Sequence, residues 1–415
     1  MEAAQIENLI GQAEQALFSR FSKIDKTAFL NQKKVLEAFW EYKISEAHFS
    51  PSTGYGYNDR GREALDLVWA RVFESEAAFV RPHIVSGTHA ITIGLFGLLR
   101  PGDTMLSVTG APYDTLTGVI GENNKNDAGS LIDFGIKYKQ LEMKDDYFDF
   151  GAISQVLRRD KSVKVVYAQK SRGYKDRAAV SSAAIGELVG FVKSIVPDIY
   201  VAADNCYGEF VEEHEPAYYG ADMVMGSLIK NPGGGIAQCG GYIAGTKKAV
   251  ELASHRLTAP FVGTEAGASL GQSANIYKGL FFAPHVVAQS LKTACLASYV
   301  YENLGYETSP KYDGARYDII QAIKFLSEEK LVNFVGGIQS GSAVDSHASP
   351  EPSKMPGYAD KIIMASGSFT QGSSIEISAD APIRPPYTAY MQGALTYESG
   401  RICVAKALEK EPMRA

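Results

Sequence analysis

Apolar residues recur every three or four positions along the first part of the chain. Ile6, Leu9, Ile10, Ala13, Leu17 and Phe21 make one such stripe, and Phe29, Val35, Leu36, Phe39 and Trp40 make another. The spacing predicts two amphipathic helices, over 2–21 and 27–47. A loop rich in Gly, Pro, Ser and Tyr follows at 49–59, and helical spacing resumes over 60–77. From 82 to 245 short apolar runs alternate with helical stretches. Strands are expected at 82–85, 104–108, 163–168, 199–203, 222–226 and 240–244, with helices at 89–99, 112–121, 149–158 and 181–195. Such alternation predicts an α/β fold whose mostly parallel central sheet is flanked by helices. Beyond a Gly-rich stretch at 263–271, helices are expected at 284–303 and 311–329 and strands at 331–338, 361–365 and 373–379. These read as a smaller C-terminal α+β domain. The polar, Pro-rich segment 340–358 reads as a surface loop. The resulting division is 1–60, 61–283 and 284–415.

Composition narrows the function classes. Of the 415 residues 45% are hydrophobic and 21% charged, as in soluble globular enzymes. A net charge of −6 offers no basic excess to neutralise phosphates, which argues against a nucleic-acid partner. There is neither a signal-peptide pattern nor an apolar run long enough for a membrane span, so a cytoplasmic protein is expected. Cys206, Cys239, Cys295 and Cys403 form no CxxC pair, and the seven histidines form no ligand motif, so no metal site is expected. Cys206 is near Asp204, but reads first as a small buried core residue.

The chemistry concentrates at predicted strand ends. Ile199-Tyr200-Val201-Ala202-Ala203 runs into Asp204, and a second apolar run ends near Lys230 in Gly226-Ser227-Leu228-Ile229-Lys230-Asn231-Pro232-Gly233-Gly234-Gly235. Active sites of parallel sheets lie beyond such ends. A lysine that bonds an aldehyde and a carboxylate that pairs with a protonated ring nitrogen are what pyridoxal 5'-phosphate requires. Ser86, Gly87 and Thr88 open a predicted helix, either as a phosphate cradle or as a plain N-cap; beside Lys230 and Asp204 the cradle is the better reading. Tyr113 is either a ring-stacking residue or a half-buried loop tyrosine. Ser227 either donates to phosphate or merely ends its strand, and the glycines at 233–235 either admit the cofactor or form a turn. Arg60, with Arg62 as competitor, and Arg172 are candidate anion contacts or surface charges. Arg384, between prolines, is the candidate for a substrate carboxylate or else a surface charge. His89 is a weaker candidate near the cofactor.

These segments together resemble a known family. Gly54-Tyr55-Gly56-Tyr57-Asn58-Asp59-Arg60-Gly61-Arg62, Val85-Ser86-Gly87-Thr88-His89-Ala90, Gln169-Lys170-Ser171-Arg172-Gly173-Tyr174, Ala203-Asp204-Asn205-Cys206-Tyr207-Gly208-Glu209-Phe210, the Lys230 segment and Ser378-Ala379-Asp380-Ala381-Pro382-Ile383-Arg384-Pro385-Pro386-Tyr387 carry the resemblance. The chain resembles fold-type I (PLP-dependent transferase-like) enzymes of the Cys/Met metabolism group. Within that group it is similar to the methionine γ-lyase family, also called aluminium resistance proteins and linked to cystathionine β-lyase.

The resemblance implies that Lys230 carries the cofactor, Asp204 pairs with its ring nitrogen, and Tyr113 stacks on the ring. Gly87 and Thr88 would bind phosphate, with Ser227 helping. Tyr57 and Arg60 would reach a neighbouring subunit's phosphate from an inter-subunit arm within residues 1–60. That implies a homo-oligomer with shared sites, a dimer at least and commonly a tetramer. Gly263-Thr264-Glu265 is similar to cysteine desulfurases, where the threonine also reaches a neighbour's phosphate. The lyases' carboxylate-binding arginine corresponds to Glu376, in Ile375-Glu376-Ile377-Ser378, so Arg384 is the expected substitute. The implied activity is elimination of a thiol from a sulfur amino acid, β or γ, with Lys230 moving the α-proton and Tyr113 protonating the leaving sulfur. Burial and the cationic ring are expected to lower the Lys230 pKa. Aminotransferase or desulfurase chemistry, the latter through Cys239, and an inactive cofactor-binding stress protein are the alternatives.

Overall fold

The computed structural model describes residues 1–122, 128–355 and 360–411. Two sheets organise it. The larger has seven strands: β1 (Ala77–Arg81), β2 (Thr104–Ser107), β3 (Lys137–Gln140), β4 (Val163–Gln169), β5 (Tyr200–Asp204), β6 (Met223–Ser227) and β7 (Gly241–Gly245). Their order is β1-β7-β6-β5-β4-β2-β3. Only β7 is reversed, antiparallel to both β6 and β1. The central strands are buried on both faces, which is why they read as unbroken apolar runs. A mostly parallel sheet was the expected architecture, and the reversed β7 makes it mixed.

Helices α1 (Ala3–Glu41), α2 (Arg60–Val72), α3 (Gly87–Leu98), α4 (Asp114–Ile120), α5 (Phe150–Arg159), α6 (Ser182–Ile195), α7 (Lys247–Leu257) and α8 (Ser273–Asn303) surround the sheet or lead from it. The second sheet is antiparallel, in the order β10-β11-β12-β9-β8, from β8 (Glu307–Ser309), β9 (Gln321–Lys324), β10 (Ile362–Ser366), β11 (Ser378–Pro382) and β12 (Thr388–Gln392). It carries α9 (Glu328–Gly341) and α10 (Tyr397–Glu409). Among the described residues no helix is long and apolar enough to cross a membrane.

Several elements differ from the sequence expectation. The two N-terminal helices are one helix of 39 residues, because Ile24 continues the buried stripe and no Gly or Pro interrupts 22–26. The strand expected at 82–85 lies earlier, at Ala77–Arg81; Pro82 lacks the N–H a ladder needs. Helix α8 begins well before 284 and contains Pro284. The helix expected over 311–329 is irregular chain leading into β9. The strand expected at 331–338 is the core of α9, where Leu331, Phe334, Val335 and Ile338 keep helical spacing behind the Ser327 N-cap. The strand expected at 373–379 starts at Ser378. Strands β3, β8 and β12 and helices α7 and α10 had no expectation. Of the loop expected at 340–358, residues 356–358 lie outside the described residues.

Candidate functional site

Strands β4, β5 and β6 run parallel, in a register that pairs Gln169 with Asp204 and Asp204 with Met225. Gln169, Asp204 and Ser227 therefore end their strands along one edge. Beyond Ser227 the chain makes a tight turn, with the Lys230 N–H on Ser227 O (3.4 Å) and the Gly233 N–H on Lys230 O (3.2 Å), and enters a short 3₁₀ turn over Asn231–Gly233. The glycines of this turn allow close packing. A Cβ on Gly233 would collide with the Leu228 carbonyl, and one on Gly234, which has φ +54°, would meet Gly279 O of α8 at 2.5 Å. Docking on α8 thus fixes where Lys230 points.

Lys230 and Asp204 line one cleft, together with Tyr113, Cys206, Tyr207 and Arg172. The Lys230 Nζ lies 3.9 Å from the centre of the Tyr207 ring, a cation–π contact. Tyr207 holds φ +72°, a strained conformation for a non-glycine residue. Burial pushes the Asp204 carboxyl up, and Lys230 pulls it back in part. For Lys230, burial pulls the amine down, but Cys206, Tyr207, Asp204 and Tyr113 together carry it well above the ordinary lysine value. Burial thus acts in the expected downward direction, and the acidic neighbours outweigh it. Burial and the Asp204 charge keep Cys206 well above a normal thiol. Cys206 is thus a cleft residue, with its N–H on Asp204 Oδ1 (3.0 Å), as well as a buried one.

The other candidates divide. Ser86 caps α3 by accepting from the His89 N–H (3.1 Å), so the N-cap reading holds for it. His89 Nδ1 accepts from the Val85 N–H (3.1 Å), which commits it to the same turn. Gly87 faces the site: a Cβ there would stand 3.1 Å from Cys206 Sγ and 3.5 Å from Ser227 Cβ. Thr88 Oγ1 accepts from the Tyr113 hydroxyl (2.8 Å) and contacts Thr115 Oγ1 (3.1 Å). Tyr113 is anchored by its N–H on Gln169 Oε1 (2.9 Å), and burial raises its phenol.

Arg172 is buried and donates to Ser309 O and Oγ (both 2.8 Å), so much of its guanidinium is committed to β8. Arg384 lines the outer cleft and pairs with Asp360 (3.0 Å). Glu376 does not line the cleft. It accepts from the Phe369 and Thr370 N–H groups and closes a local loop. The residue that this part of the chain presents to the cleft is Asp380.

Tyr57, Arg60 and Thr264 stand apart from the cleft. Tyr57 stacks on Tyr55 at 5.4 Å, and Tyr57 and Arg60 are exposed. Arg62 is no surface charge: its buried guanidinium donates to Gly56 O, Gly267 O and Glu265 O and ties the loop of Tyr57 to that of Thr264. Cys239 does not line the cleft either, and burial raises its thiol. Tyr207, Asp380, Gln169, Tyr174 and Gln392 are cleft residues that the sequence reading missed; only their positions just past strand ends or on alternating strand positions hinted at them.

The sequence matches the methionine gamma-lyase family over residues 6–411. The chain belongs to that family. Its relatives include the uncharacterized protein YnbB of Bacillus subtilis (strain 168), 48% identical over 388 residues, which are 93% of this chain and 92% of that one. A solved structure of similar shape is that of a carbon-sulfur lyase involved in aluminum resistance from Clostridium novyi NT. It is 50% identical, covers 98% of this chain and 95% of that chain, and has a TM-score of 0.94. More distantly, the fold is shared with the pyridoxal-5'-phosphate dependent protein YhfS of Escherichia coli (15% identity, 93% of this chain and 97% of that chain, TM-score 0.61).

For a member of the methionine gamma-lyase family, the site can be tested against pyridoxal phosphate. The donor set fits: an amine at Lys230, a buried acid at Asp204 for a ring N–H, and a side-chain-free position at Gly87 on the N-terminus of α3 between Ser227 and Thr88. Among the described residues no group of three or more His, Cys, Asp or Glu is arranged to hold a metal ion.

Behind the cleft floor, Glu209 is completely enclosed and accepts from the Tyr242 hydroxyl (2.9 Å). Burial pushes its carboxyl up to about 8. An acid raised on folding contributes stability that is present below the unfolded value near 4.5 and lost as pH rises through about 8. Glu209→Gln is therefore expected to melt roughly a few degrees higher than the parent at pH 9, by less at pH 6, and with little difference only at about pH 4. A melting difference independent of pH would contradict this account.

Proposed function

We propose that the protein is a fold-type I, pyridoxal phosphate-dependent carbon–sulfur lyase acting on a sulfur-containing amino acid by β- or γ-elimination. The observation that carries this reading is the convergence of Lys230, Asp204 and Tyr113 in one cleft at the strand ends. Family membership and the carbon-sulfur lyase relative support it. When bound, the cofactor supplies an electron-poor ring that accepts the electron pair left at Cα.

The chain's own residues would do the rest. Asp204 holds the ring nitrogen protonated, which commits its charge to the ring and relieves one of the interactions that keep Lys230 protonated. Lys230 then takes the α-proton. The Tyr113 phenol, kept protonated by its raised pKa, gives its proton to the sulfur as the carbon–sulfur bond breaks. Water completes the balance: amino acid plus water gives thiol, ammonia and 2-oxo acid. Arg384, at the cleft's outer part, is the group that would receive the substrate carboxylate, exchanging Asp360 for it.

Tyr57 and Arg60 are read as reaching the phosphate of a second copy in a homo-oligomer. Their exposure, and their distance from the cleft of their own chain, support that reading. The test is to load the protein with pyridoxal phosphate and incubate it with methionine, cysteine and cystathionine. Thiol and 2-oxo acid in equal amounts are expected, and Tyr113→Phe should lower their release by roughly 10²-fold. Amino transfer to an added 2-oxo acid without thiol release would overturn the lyase reading in favour of an aminotransferase.

A further inference from the structure

Away from the cleft, α1 packs on α8, and Arg20 of α1 donates to Gly314 O (2.7 Å) in the irregular segment before β9. A second pocket lies between these elements and shares no lining residue with the first. Three cations line it: Arg20 and Lys23 from α1, and Arg316 from the segment before β9. No Asp or Glu is among the described residues that line it. Among the described residues no ion pair includes any of the three. Asp25, two residues from Lys23, is taken by Lys292 (2.6 Å).

Arg316 is only 6% exposed. A guanidinium that deep needs acceptors for its N–H groups. One corner has an acceptor: Nη2 donates to Gln321 Oε1 (2.6 Å). That oxygen is fixed in place, because Gln321 Nε2 donates to Pro310 O and Ala322 O (both 3.0 Å). Arg316 Nε and Nη1 are buried without a hydrogen-bond partner among the described residues. Arg20 repeats the arrangement, with Nη2 on Gly314 O and a buried Nε that has no partner. Each guanidinium is thus held at one corner by the chain and keeps donors unused. Lys23 adds a third positive charge from an exposed position, and the apolar walls of Ile24, Val211 and Leu291 strengthen the field inside.

We propose that Arg20, Lys23 and Arg316 form a binding site for a phosphate group, separate from the catalytic cleft. Three cations with no acid among them favour a ligand with more than one negative charge and several acceptor oxygens. A phosphate dianion has both, whereas a carboxylate brings a single charge. The site joins α1 to the segment that supports the cleft floor, where the Ile319 N–H meets Tyr207 O (3.2 Å) and Asp318 accepts from the Arg172 N–H (3.1 Å). The lyase reading plays no part in this assignment.

The experiment uses protein loaded with pyridoxal phosphate and freed of excess, so that the cofactor keeps other phosphates out of the cleft at Gly87. It is titrated calorimetrically at pH 8 with inorganic phosphate, glycerol 3-phosphate and acetate, in chloride buffer of constant ionic strength. Saturable phosphate binding is expected, about tenfold or more tighter than acetate. Glycerol 3-phosphate binding tighter than inorganic phosphate assigns the site to a phosphate ester, and the reverse order assigns it to the free ion. Arg316→Gln should weaken phosphate binding by about tenfold or more. Lys23→Glu leaves the buried groups untouched and should weaken it about three- to tenfold. Lys248→Glu, exposed on α7, makes the same change of net charge outside the pocket and should leave affinity unchanged.

Absence of saturable phosphate binding by the parent protein would overturn the proposal. So would acetate binding as tightly as phosphate. A Lys23→Glu protein that loses no more affinity than Lys248→Glu would overturn it too, since the anion would then be held elsewhere.

Discussion

Lys230→Ala is expected to abolish the visible absorption band of protein loaded with pyridoxal phosphate and to lower thiol release by roughly 10³-fold or more. Neither Lys170 nor Lys175 stands where Lys230 does. Lys170 is completely buried and held by Glu212 (2.9 Å) and Ser182 Oγ (2.8 Å), and Lys175, although it lines the cleft, follows β4 rather than the turn beyond β6. The turn should survive the substitution, because it is held by backbone bonds and by glycine packing on α8. An unchanged far-ultraviolet spectrum with a lost visible band is therefore the diagnostic pair. The same variant tests the shared site. Mixed with Arg60→Ala under conditions that exchange subunits, it should regain part of the lost activity if Arg60 serves a neighbour's cleft. No recovery would assign Arg60 to its own chain or to no role at all. A Lys230→Ala protein that keeps both band and activity would end the cofactor assignment.

Asp204→Ala has the second largest expected effect. Asp204 is buried at the end of β5, where the Cys206 N–H holds one oxygen. Without the acid nothing keeps a ring nitrogen protonated, and the Cα electron pair loses its sink. Activity should fall by roughly 10²- to 10⁴-fold, with weakened cofactor retention on dialysis. Lys230 also loses one of the groups that raise it, so in protein not loaded with the cofactor its amine should titrate at lower pH. Asp204→Glu should not restore activity, since the longer side chain has no room beside buried Tyr167 and Cys206. Full activity in Asp204→Ala would show that the acid is only structural.

What the sequence revealed, and what it withheld, follows from locality. Asp204 and Lys230 were legible because each lies just past a short apolar run bounded by turn residues, and a strand's end is a local property. Gly87 and Tyr113 were read from the segments after two earlier apolar runs, although the run at 82–85 is not the strand, which ends at Arg81. Asp380 was not legible: its place on the cleft wall comes from the pairing of β11 with β12 and from the second sheet facing the first, neither of which spacing encodes. Tyr207 was hidden for another reason. Its left-handed backbone turns the ring under Lys230, and nothing in residue type announces a positive φ on tyrosine. The mistaken strand at 331–338 came from counting apolar content over period, for Leu331, Phe334, Val335 and Ile338 were at helical intervals throughout. The single N-terminal helix was likewise present in the pattern through Ile24.

The long first helix has a cost during synthesis. Its apolar stripe is covered chiefly by α8, and Glu14 near its middle meets Tyr397 and Arg401 of α10. Ribosomes release α1 long before either partner exists. Until they emerge, Ile10, Leu17 and Ile24 remain wet, and every nascent chain carries a sticky face that chaperones or neighbouring polysomes can find. Placing the cover so late in the sequence leaves assembly, more than the finished fold, as the step most sensitive to heat and crowding.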